Sequence, residues 1–107
     1  MRNANVEKKS SLDVLVTALC RDFSRREEAI KSGNAERRTL IEFRYLNLKI
    51  LEATRDVVED RYVMLYIKEI GESIGYANSE VEGFSEVAYK NLKKSIKENI
   101  AKKLHLR

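Results

Sequence analysis

Residues 67–92, IKEIGESIGYANSEVEGFSEVAYKNL, carry the pattern that decides the fold. Ile67, Ile70 and Ile74 recur at steps of three or four, as do Val81, Phe84, Ala88 and Leu92. Each set therefore lies along one side of a helix, and neither fits a strand. Between them stands Gly75-Tyr76-Ala77-Asn78. Gly75 follows the last apolar residue of the first set, where helices commonly close on a left-handed residue that glycine adopts without Cβ strain. Asn78 or Ser79 then suits the N-cap of a second helix running from about Ser79, its side chain accepting an orphan backbone N–H. Gly71, one turn before Gly75, marks a place where two crossing helices approach closely enough for a side chain to obstruct them.

The pattern apolar-small-x-x-apolar-Gly-apolar-x4-apolar-x2-apolar is met without a gap by Ile70, Gly71, Ile74, Gly75, Tyr76, Val81 and Phe84. In this it resembles the helix-turn-helix of bacterial and phage regulators, most closely the final DNA-binding region of sigma factors. In layout the whole chain is similar to the small phage-encoded ArpU or RinA type transcriptional regulators of Gram-positive bacteria, in which a helical N-terminal part precedes a sigma-like helix-turn-helix. The resemblance implies that the helix from about Ser79 is a recognition helix lying in a DNA major groove. Asn78, Ser79, Glu82 and Ser85 would then face bases, with Tyr76 in the turn beside them. Glu80, Glu82 and Glu86 put three carboxylates on that face, where they oppose phosphates unless cations compensate. Gly83 costs about 1 kcal/mol relative to Ala in a helix interior, so the second helix is short, bent, or begins only near Ser85.

Charge is distributed unevenly. The formal sum is +3 over residues 1–53, −5 over 54–86 and +6 over 87–107. Lys90, Lys93, Lys94 and Lys97 step by three or four along roughly one face of a C-terminal helix, while Leu92, Ile96, Ile100 and Leu104 occupy another. Lysines so placed would hold phosphate and make affinity strongly salt dependent. As a plain solvated face they also suit the negative end of their helix.

The 107 residues, 43% of them hydrophobic, make one domain with a single core. With no proline and four glycines the chain lacks the turn chemistry of a β-sandwich or barrel. The expected fold class is all-α, a small helical bundle with a C-terminal helix-turn-helix. Residues 1–9 read as disordered, 10–58 as the helical N-terminal part and 59–107 as the helix-turn-helix with its basic helix. Ser10 or Ser11 opens a first helix to about Phe23. Ser24 and Glu27 form a capping box for a second over residues 25–31, which Gly33 ends. Asn34 caps a long helix over residues 35–58 whose apolar residues cover more than one stripe. That helix is either the central strut of the bundle or, in part, a dimer interface. Glu59-Asp60 marks a break before a helix over residues 61–74, although neither Gly nor Pro forbids one continuous rod.

Chemistry is sparse. The single cysteine, Cys20, sits in the apolar set Leu12, Leu15, Val16, Leu19 and Phe23, fits buried packing, and suits a reducing cytoplasm. The only histidine, His105, lies at the chain's end, so neither a metal cluster nor a Cys/His nucleophile is indicated. Glu69 and Glu72 read as solvated helix-surface charges, and Tyr62, Tyr66 and Tyr89 as edges of the core. No signal peptide or bilayer-length apolar run is visible, so the protein is expected to be cytoplasmic with no membrane partner. It is expected not to be an enzyme and to carry no cofactor or metal. The expected partners are double-stranded DNA, RNA polymerase and a second copy in a homodimer. Two alternatives stay open: a protein-binding adaptor using an acidic surface around Glu69, Glu72, Glu80, Glu82 and Glu86, and a phage assembly component of terminase-associated type.

Overall fold

The structure, a computed structural model, describes residues 4–106, with side chains from residue 11 onward. Five α-helices follow one another: α1 (Ala4–Arg21), α2 (Phe23–Ser32), α3 (Arg37–Arg55), α4 (Asp60–Gly71) and α5 (Glu86–Lys103). A single 3-10 turn, Tyr76–Asn78, lies between the last two, and among the described residues there is no strand. The all-α class holds. No helix is long and apolar enough to cross a membrane.

The boundaries depart from expectation for identifiable reasons. Helix α1 begins at Ala4, not at Ser10 or Ser11, because residues 4–9 are rich in the good helix formers Ala, Glu and Lys. Residues 4–9 of the segment expected to be disordered belong to α1, and its first three residues lie outside the described ones. Only Asp22 separates α1 from α2. Its N–H still donates to Ala18 O at 3.1 Å and its carbonyl accepts from Arg26 N at 3.0 Å, so the hydrogen-bond ladder bends without ending. The Ser24–Glu27 capping box does not form, since α2 has already begun at Phe23. Glu27 instead accepts from Asn47 Nδ2 at 2.7 Å. As expected, α2 ends at Gly33, which is left-handed at φ 72°. Helix α3 opens at Arg37 behind Glu36 rather than behind Asn34, and stops at Arg55, short of Val58. The break after it is real, and Asp56 there accepts from Asn99 and Lys103 of α5.

Two polar clamps hold the bundle. The buried guanidinium of Arg26 donates to Asn47 Oδ1 at 2.6 Å and to the Leu19 carbonyl, and Asn47 Nδ2 returns to Phe23 O at 3.1 Å. This ties α2 to α3 and to the end of α1. A buried Arg is tolerated because its donors meet fixed acceptors. Further along α3, Asn99 Nδ2 donates to Ala53 O at 2.9 Å and joins α5 to α3. Around these lies one apolar core including Val16, Cys20, Phe23, Ile50, Val63, Tyr66, Ile67, Ile70, Tyr89, Ile96 and Ile100. Cys20 packs there as a small hydrophobe, burial pushing its thiol up to about 12.

Helix α4 packs chiefly on α1 and α3, and α5 on α3 and α1. The close approach expected at Gly71 exists, but its partner is α1. A Cβ at Gly71 would sit 2.7 Å from both Cα and N of Arg21. Helix α4 also ends earlier than Ile74. The left-handed residue is Ser73, at φ 55°, and Gly75 is extended. Ser73 N donates to Ile70 O at 3.2 Å and Ile74 N to Glu69 O at 2.9 Å, the paired bonds of a Schellman ending.

Two substitutions test this end of α4. Gly71→Ala is expected to lower stability by about 1–3 kcal/mol, because backbone rather than a flexible side chain must yield. Ser73→Gly is expected to raise it by about 1 kcal/mol by removing a left-handed Cβ. Urea unfolding midpoints measure both.

Candidate nucleic-acid interface

The helix expected from Ser79 begins at Glu86. Residues 72–85 form instead an ordered connector, and its organiser is a residue expected to lie in solvent. Glu69 is 1% exposed. Its Oε1 accepts from Ser79 Oγ at 2.6 Å and from Tyr89 OH at 2.5 Å, and its Oε2 accepts from Glu80 N at 2.7 Å. Burial raises the carboxyl pKa. The Ser79 and Tyr89 hydroxyls, the Glu80 N–H and the Lys93 charge together outweigh it and hold Glu69 below its ordinary value. The same carboxylate contributes, after burial, to pushing Tyr89 up to about 12.

A segment outside helix or sheet has backbone groups in need of partners, and here Glu69 supplies them. Ser79 Oγ accepts in turn from Val81 N at 2.9 Å, which carries Val81 into the core. Gly83, left-handed at φ 92°, turns the chain where a helix would have run straight. Phe84 then meets the ring of Tyr62 edge-on, with centroids 5.2 Å apart, and Tyr66 stacks on Tyr89 at 5.7 Å. Tyr66 OH is buried without a hydrogen-bond partner, and burial pushes it up to about 12.

Most residues expected to touch DNA are engaged within the molecule. Tyr76 OH donates to Phe84 O at 3.0 Å. Ser79 serves Glu69. Ser85 is the N-cap of α5, its Oγ accepting from Ala88 N at 3.1 Å. Lys93 Nζ donates to Ile74 O at 2.5 Å and lies 5.0 Å from the Tyr89 ring centroid. Burial, then Lys97, lower its pKa. Lys97 pairs with Asp13 of α1 at 2.7 Å, and Lys90 with Glu86 at 2.8 Å on the surface. Asn78, Glu82 and Lys94 are exposed, and no ion pair involves Lys94 among the described residues.

The expected base-facing set is thus dispersed along the connector, and the geometry offers a different one. Val87, Asn91 and Lys94 stand at i, i+4 and i+7 on the outer face of α5, all exposed, and Val87 keeps 69% of its surface in solvent. An exposed valine in a first helical turn and an asparagine one turn later are hard to single out from sequence. Only the true start of α5 reveals which face they share. No family model matches the chain, and neither a curated protein nor a solved structure matches it.

Glu69→Gln is expected to destabilise the protein by about 2 kcal/mol at neutral pH, because an amide N–H₂ must face a donor. The sign with pH is fixed. A carboxyl depressed on folding contributes fully above its unfolded value of about 4.3 and loses that contribution as pH falls through the lower folded value. Urea titrations from pH 7 downward should show the Glu69→Gln difference shrinking in that acid window.

Proposed function

We propose that this protein is a DNA-binding transcription regulator of the phage or prophage type that meets DNA with the outer face of α5. The exposed stripe Val87, Asn91 and Lys94 carries the proposal. A valine methyl suits the thymine methyl, an asparagine amide pairs bidentately with adenine, and lysine reaches phosphate. These side chains occupy the first turns of α5, where recognition helices meet base edges. Lys90 flanks them, and its pairing with Glu86 on the surface is weak enough for a phosphate to displace. The layout of a helical N-terminal part before this segment supports the same class by resemblance, and the net charge of +4 favours a polyanion.

A protein-binding adaptor is favoured by a different observation. Glu72, Glu80 and Glu82 are exposed on the connector, while Lys93 and Lys97 of α5 are engaged internally. An acidic edge of this kind fits a basic surface on RNA polymerase or on a phage structural protein.

Fluorescence anisotropy on labelled duplexes across a salt series separates the two. Under the proposal, Lys94→Ala weakens binding alike on all sequences and lowers the log–log salt slope by about 0.9. Asn91→Ala relaxes discrimination at one base pair by about 1–3 kcal/mol. No binding at low ionic strength, together with a complex formed with purified RNA polymerase, would replace it by the adaptor.

A further inference from the structure

Helix α3 buries Asn47, Ile50, Ala53 and Thr54 on one side and leaves an apolar stripe uncovered on the other. Ile41, Tyr45 and Leu48 are 54%, 46% and 50% exposed. Their steps of four and three continue to Arg38 on one side and to Glu52 and Arg55 on the other. Alternating three- and four-residue steps are the spacing of a coiled-coil seam, with Arg38, Tyr45 and Glu52 at a positions and Ile41, Leu48 and Arg55 at d positions. A ligand pocket does not explain such a stripe. A partner helix of the same spacing does.

The flanking charges choose the partner and its direction. Glu42 and Lys49 fall at successive e positions, and Arg44 falls at the g position before Lys49. Two copies of α3 packed antiparallel, with Tyr45 of each against Leu48 of the other, bring Glu42 of one copy beside Lys49 of its partner. Two-fold symmetry forms that attractive pair twice. A parallel arrangement would pair Arg37 with Glu42, but it would oppose Arg44 to Lys49 and set Arg38, Glu52 and Arg55 each against its own copy, like against like. In the antiparallel register Ile41 lies against Glu52 of the other copy, which has Lys49 of its own chain at 3.5 Å, and Arg38 lies against Arg55, which has Asp60 at 3.4 Å. Three apolar side chains per copy form a small seam, so the association is concentration dependent rather than obligate.

We infer that the chain forms a homodimer through an antiparallel α3–α3 seam centred on Tyr45 and Leu48. The seam uses no residue of the α5 stripe, so the dimer stands or falls independently of DNA binding, and a two-fold pair of α5 helices would suit a two-fold DNA site.

Sedimentation velocity of the full chain over a concentration series is the test, with circular dichroism confirming that each variant keeps its helix content. The wild type should pass from monomer to dimer, and Leu48→Glu, at an exposed position, should remain monomeric. Lys49→Glu should weaken the dimer by about tenfold, because both cross-pairs become repulsive, and adding Glu42→Lys should restore it. Three results would overturn the inference: a wild type monomeric throughout the series, a dimer indifferent to Leu48→Glu, or a dimer tightened by Lys49→Glu, which marks a parallel seam.

Discussion

The carboxylate of Glu69 is the constraint on which the C-terminal half depends. An ionised group taken out of water is costly unless its lone pairs are met by donors. Here three donors meet it, two hydroxyls and one backbone N–H, and the ammonium of Lys93 lies close enough to favour the charge. Those donors come from two different places in the chain, the connector and α5. One side chain at the end of α4 therefore fixes both the path of residues 72–85 and the position at which α5 starts.

Positions downstream follow from that anchor. With Ser79 and Glu80 held, Val81 enters the core and Phe84 reaches Tyr62, so Ser85 arrives where it can cap α5. The inner face of α5 is then committed to Tyr89, Ile96 and Ile100, and its outer face is left with Val87, Asn91 and Lys94. Lys93 and Lys97, which belong to the basic stripe in sequence, lie near the boundary and are drawn into internal contacts. A run of lysines at helical spacing thus overstates the cations open to a polyanion, since their spacing does not reveal which of them face a neighbour.

The parts of this fold legible in the chain were those with local causes. The absence of proline, the helical spacing of apolar residues, the turn at Gly33 and the need for a small residue at Gly71 all express backbone sterics within a few positions. The connector was not legible for a physical reason. Residues 79–92 have apolar residues at helical spacing, so Val81 and Phe84 looked like the first turns of α5, whereas they are core contacts of a non-helical segment. Glu69 looked like any surface glutamate on a helix. Its only hint was position, one turn beyond Tyr66 on the buried side of α4, with hydroxyl-bearing Ser79 and Tyr89 downstream. Ser73 rather than Gly75 took the left-handed position because the Schellman bonds to Ile70 and Glu69 offset the strain at a non-glycine residue.

Amide hydrogen exchange at Glu80 tests most directly whether Glu69 organises this half of the molecule. Glu80 lies outside any helix, and its side chain is exposed. If its N–H is held by the buried carboxylate, it should exchange at least about a hundredfold more slowly than the amides of Glu82 and Gly83 a few residues away. Exchange at Glu80 as fast as at those neighbours, in protein whose α4 and α5 amides remain protected, would contradict the account.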